Sequence, residues 1–91
     1  MSSSLSKKLK IISDKNRLKI LCYLFNHNNP CVSDIANDLK MSVAIISHHL
    51  QKLNEENIVN SCRDGKKNCY KLSKTEFNKD LKKFICKYDK Q

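Results

Sequence analysis

The chain has 91 residues, enough for one domain with a modest core. With 18 Lys and Arg against 9 Asp and Glu, its net charge of +9 points to an anionic partner, nucleic acid first among them. No apolar run approaches membrane-spanning length or resembles a signal peptide, so the expectation is a cytoplasmic protein with no membrane partner.

The first predicted element is a short helix over 5–12 carrying Leu5, Leu9, Ile11 and Ile12, behind a Ser-rich tail. Ser13 or Asp14 can cap a second helix over 14–26, with Leu18, Leu21, Cys22 and Phe25 on one face. The run Asn26-His27-Asn28-Asn29-Pro30 reads as a turn. Ser33 is the expected cap of a third helix that ends at Lys40 and buries Ile35, Ala36 and Leu39. After a tight break at Lys40-Met41-Ser42, Ser42 caps a fourth helix with Val43, Ile46, Leu50 and Leu53 inward.

Two short strands, 58–63 and 68–72, flank the loop Asp64-Gly65-Lys66-Lys67, which holds the only glycine. In that register Arg63 faces Asn68 and Cys62 faces Cys69. Ser73-Lys74-Thr75-Glu76 has the form of a capping box for a last helix reaching residue 88, with Phe77, Leu81, Phe84, Ile85 and Tyr88 as its apolar stripe. The order α-α-α-α-β-β-α is that of a winged helix-turn-helix, mainly α with a two-stranded β-hairpin. A single domain spans 1–91, with the helix-turn-helix at about 33–55, the wing at about 58–72 and a dimerisation helix at about 74–88.

The fourth helix carries the functional expectation. Ser42, Val43, Ala44, Ser47, His48 and Gln51 are small or hydrogen-bonding, as a helix entering a DNA major groove requires. Ser47 and His48 would lie nearest base edges, Val43 and Ala44 near thymine methyls; His49 falls further inward and reads as a structural group. Residues 31–60 carry only Lys40 and Lys52 against Asp34, Asp38, Glu55 and Glu56, so the reading segment is itself acidic. Residues 1–30 have six bases against Asp14, and residues 61–91 ten bases against four acids. Phosphate contacts must then come from the flanks and from Arg63, Lys66 and Lys67 at the wing.

Five motifs occur in order: Asn16-Arg17-Leu18-Lys19-Ile20-Leu21, Val32-Ser33-Asp34-Ile35-Ala36, Ser47-His48-His49-Leu50-Gln51-Lys52-Leu53, Ile58-Val59 and Cys69-Tyr70-Lys71-Leu72. Over about residues 10–73 the chain thereby resembles the ArsR/SmtB family of small bacterial repressors. The resemblance implies a homodimer joined through the first and last helices, a palindromic operator in double-stranded DNA, and release when a metal or oxidant is sensed. Where soft-metal sensors of the family carry Cys-Val-Cys, this chain has Cys31-Val32-Ser33, one thiolate short. Where zinc sensors use Asp and His on the last helix, it has Asp80 and Asp89 and no His.

The persulfide- and redox-sensing branch of the BigR/SqrR type is more similar in its cysteines. Cys22, in an Ile-Leu-Cys context, and Cys86 on the last helix match its sensing pair, although Cys86 falls about one helical turn early. Cys86 lies on the side of Lys79, Lys82 and Lys83, where a thiol can be reactive. The expectation is therefore a repressor released by thiol oxidation or persulfidation at Cys22 and Cys86, with no cofactor. Two alternatives stay open: a metal-responsive repressor using Cys31 with Cys62 or Cys69, and a winged helix that binds protein instead of DNA. No acid–base or nucleophile constellation and no phosphate-binding glycine loop is present, which argues against an enzyme.

Overall fold

The computed structural model describes residues 3–88; Asp89 lies outside them. Five helices and one hairpin follow in the order α1 (Ser3–Ile12), α2 (Lys15–Asn26), α3 (Val32–Leu39), α4 (Val43–Glu55), β1 (Val59–Asp64), β2 (Lys67–Leu72) and α5 (Glu76–Tyr88). This is the winged helix-turn-helix that the sequence leads one to expect.

Helices α2, α4 and α5 start where a side chain satisfies one or two of the first backbone N–H groups. Asp14, rather than Ser13, caps α2, accepting from the amides of Asn16 (2.8 Å) and Arg17 (3.1 Å). Ser42 caps α4 by accepting from Ile45 N at 3.1 Å. Two expected caps shift. Helix α3 is capped at Cys31, not Ser33, because Cys31 is held extended and Asp34 reaches back to accept from its amide at 3.3 Å. Helix α5 starts two residues later than the Ser73 box implies: Thr75 Oγ1 accepts from Asn78 N at 3.1 Å, while the buried Ser73 donates its amide to Ile58 O.

Between α3 and α4, Lys40 adopts a left-handed conformation (φ 57°), and its amide donates to Ala36 O and Asn37 O. The amide of Met41 donates to Ala36 O at 3.0 Å, which closes α3 and turns the chain sharply into Ser42.

The core gathers Ile20, Leu21 and Leu24 of α2, Val32, Ile35 and Ala36 of α3, and Ile46, Leu50 and Leu53 of α4. Ile58, Val59 and Leu81 complete it. On α2 the buried set is Ile20, Leu21 and Leu24; Leu18 and Cys22 are only half-buried because they line an open groove on the other side, and Phe25 is half-buried in a second cleft beside Leu72 and Thr75. Strands β1 and β2 pair in the expected register, Cys62 opposite Cys69 and Arg63 opposite Asn68. Pairing continues to Asp64 and Lys67, so the loop is two residues, Gly65 and Lys66, tighter than expected. Gly65 has φ +67°, the conformation such turns demand.

Asn78 ties α5 to the wing. Its side-chain amide donates to Ile58 O (2.9 Å) and Ser73 O (2.7 Å), and the residue is 5% exposed. Replacing it removes two buried hydrogen bonds, although Ile58 O keeps the Ser73 amide and Ser73 O keeps the Thr75 amide. Asn78→Leu is expected to lower the unfolding free energy by about 1–3 kcal/mol in urea titration, with far-UV circular dichroism still showing a folded chain.

Candidate nucleic-acid interface

Helix α4 divides cleanly into a buried and a bare side. Ile46, Leu50 and Leu53 are fully buried, at the i, i+4, i+7 spacing of a helix stripe. Opposite them Ala44, His48 and Gln51 are exposed and Ser47 is half-buried. Val43, expected both on the inner stripe and near base edges, is 52% exposed, so its inward placement is wrong: the core covers α4 only from Ile46 onward. Ser42 is exposed as well, with its hydroxyl spent on the cap.

Ile45 is the residue that sequence reasoning missed. It is 48% exposed and sits beside Ala44 on the outer face. An isoleucine off the 46/50/53 stripe was the available signal. With Val43 it makes the first turn of α4 apolar on its open side, suited to the thymine methyl in a major groove.

The two histidines of α4 differ as expected. His48 is exposed, whereas His49 is half-buried and accepts at Nδ1 from Arg17 Nε at 3.1 Å. Arg17 also donates through Nη1 to Ile11 O at 3.2 Å, so one guanidinium fastens α4 and the end of α1 to the start of α2. Acceptance at Nδ1 requires the neutral imidazole. Burial pushes the His49 pKa below the ordinary value in the same sense, with the charge of nearby Asp14 opposing it. The carboxyl of Asp14 is held below its own ordinary value, chiefly by the amide of Arg17.

Arg63, Lys66 and Lys67 are all exposed on the wing, next in sequence to α4. The remaining expected residues lie elsewhere. Cys22 is half-buried and lines the groove bordered by α1, α2 and α5. Cys86 is exposed on α5 and is not among the groove-lining residues, although its neighbour Ile85 is. Cys31 lies at the N-terminus of α3 with its Sγ 3.1 Å from Cys69 Sγ. Among the described residues no group of three or more His, Cys, Asp or Glu is arranged to hold a metal ion. No described helix is long and apolar enough to cross a membrane.

A helix with a buried stripe and a bare polar face, followed directly by a basic hairpin, is a recognisable arrangement, and known proteins share it. The model of the bacterial regulatory proteins of the arsR family matches residues 14–61, from the cap of α2 into β1. The chain belongs to that family. The cadmium resistance transcriptional regulatory protein CadC of Listeria innocua is 49% identical over 63 residues, covering 69% of this arsR-family chain and 53% of CadC. The chain thus spans about half the length of that relative. The solved structure of HlyU from Vibrio cholerae is similar with a TM-score of 0.86 at 27% identity, over 97% of this chain and 95% of that one. The transcriptional repressor BigR from Xylella fastidiosa has a TM-score of 0.78 at 24% identity, over 98% and 90% of the two chains, which shows a shared fold alone.

His49 gives this arsR-family fold a pH dependence of definite sign. A histidine whose folded pKa is depressed stabilises the fold above its unfolded value of about 6.5. That contribution is lost as pH falls through the folded value. Thermal midpoints should therefore decline as pH falls below about 6.5, and His49→Gln should flatten that limb; Asp14 acts only at lower pH, below its ordinary 3.8.

Proposed function

We propose that the protein is a homodimeric, DNA-binding transcriptional repressor whose release from DNA is triggered by thiol chemistry. The observation that carries the reading is the division of α4, fully buried along Ile46, Leu50 and Leu53 and bare along Val43, Ala44, Ile45, His48 and Gln51. The bare side enters the major groove, with Ser47 and His48 toward base edges and Val43, Ala44 and Ile45 toward thymine methyls. Ser42 fixes the start of the helix. Arg63, Lys66 and Lys67 grip phosphates or the minor groove alongside, which the acidic reading segment cannot do for itself.

Dimerisation is supported by apolar surface left exposed among the described residues. Leu5 and Leu9 on α1 and Phe84 and Tyr88 on α5 are 40%, 49%, 62% and 64% exposed. Leu9, Phe84 and Tyr88 line a groove together with Ile12, Leu18, Leu81 and Ile85, and Leu5 lies one helical turn before Leu9 on α1. A contiguous apolar patch of this kind marks an association surface. Pairing two copies through α1 and α5 buries it and sets two α4 helices on one duplex, which calls for a palindromic operator. A dimer on its operator excludes other proteins from that stretch of duplex, so repression is the activity proposed.

Cys22 and Cys86 are the proposed trigger. Cys22 opens into the groove that α5 borders, and Cys86 is the exposed residue after groove-lining Ile85. Consecutive helical residues differ by about 100°, so a bridge between the two sulfurs requires α5 to turn, which would reshape a dimer built on α5. Oxidation or persulfidation is the chemistry, with no cofactor.

Three measurements test the reading. Removing both Lys66 and Lys67 as alanine should weaken binding to every duplex and reduce the slope of log affinity against log salt by about 2. Phe84→Glu should give a folded monomer in sedimentation analysis, with DNA affinity lower by more than tenfold. Polysulfide should release DNA from the native chain and not from Cys86→Ser.

A further inference from the structure

Cys31 and Cys69 are 38 residues apart in sequence, yet their Sγ atoms lie 3.1 Å from each other. Backbone geometry explains the approach. Cys31 forms an isolated antiparallel bridge with Cys69, so the segment entering α3 runs as a third short strand against β2. The amide of Tyr70 donates to Pro30 O at 3.2 Å, which flanks the cysteine pair instead of joining it. Such non-hydrogen-bonded pairs have Cα atoms about 4.5 Å apart and the closer side chains. That distance falls within the roughly 4.4–6.8 Å that a disulfide spans. The sulfurs need to close by only about 1 Å to reach bonding distance.

We infer that Cys31 and Cys69 form a dithiol that a two-electron oxidant converts to an intrachain disulfide, stapling wing strand β2 to the N-terminus of α3. The site is separate from Cys22 and Cys86 and stands whether or not those residues sense anything. Accessibility sets the order of events, because Cys31 is half-buried and Cys69 only 5% exposed. With hydrogen peroxide, Cys31 sulfur attacks one oxygen and the O–O bond breaks. Cys31 becomes a sulfenic acid, and the second oxygen leaves as water with the thiol proton. Cys69 sulfur then attacks Cys31 sulfur; the S–O bond breaks, and hydroxide leaves as water with the proton of Cys69. Two thiols and one peroxide become one disulfide and two waters.

Cys62 is the internal competitor, since it faces Cys69 across the hairpin. The Cys31 pairing is favoured by the sulfur–sulfur contact already in place. The closed loop encloses α3, α4 and the ascending wing strand.

The test uses the full chain and a Cys22→Ser/Cys86→Ser variant, because residues 20–40 form a tryptic peptide containing both Cys22 and Cys31. After peroxide treatment and alkylation of remaining thiols, both proteins should yield peptide 20–40 linked to peptide 68–71. Dithiothreitol should reverse the link, and Cys31→Ser or Cys69→Ser should abolish it in chains that circular dichroism shows to be folded. The oxidised variant should melt about 10 °C higher than the reduced one. A link between Cys62 and Cys69, or alkylation of both Cys31 and Cys69 after oxidation, would overturn the inference.

Discussion

Burial of one stripe of α4 governs the rest of the molecule. Ile46, Leu50 and Leu53 are withdrawn completely from solvent against Ile20, Leu21, Ile35 and their neighbours. At roughly 1.5–3 kcal/mol for each such side chain, this fixes the rotation of α4 about its axis. No specific contact is then needed on the outer face, which is left to polar and small residues and, in its first turn, to the apolar Val43 and Ile45. Arg17 fixes the second coordinate by bonding His49 on α4 while its own helix start is capped by Asp14. The face proposed to read DNA is therefore positioned from behind, by the buried stripe of α4 and by His49.

The same economy of core has a consequence at the opposite edge. A chain of 91 residues supplies one cluster of buried side chains, and α5 contributes only Leu81 and Asn78 to its buried set. Phe84 and Tyr88 extend past the core, packed on each other and exposed among the described residues. The helix is anchored at its start by Asn78 and bare at its end, so the surface proposed for a second copy and the surface proposed for thiol control coincide. Coupling between dimer shape and α5 would follow from that shared use.

Much of this was legible in the sequence because it rests on periodicity. The 46/50/53 stripe, the Ser42 cap, the register of the hairpin and the inward His49 all follow from spacing alone. What was not legible depends on tertiary contacts. Asp34 reaching back to Cys31 moves a cap by two residues, and it does so because Cys31 is already held against β2. Thr75 replaces Ser73 as a cap because the Ser73 amide is spent on Ile58. Ile45 and Val43 are bare because the core ends at Ile46, a boundary no helical wheel contains. The Cys31–Cys69 contact joins residues whose proximity required the whole helix-turn-helix to be folded between them.

The central claim is that the outer face of α4 and the wing meet DNA together. Amide chemical-shift mapping on titration with duplex DNA at low salt tests it directly. The largest shifts are expected at residues 43–51 and 63–67, fading as salt rises. An absence of shifts, or shifts confined to the groove between α1, α2 and α5, would contradict it.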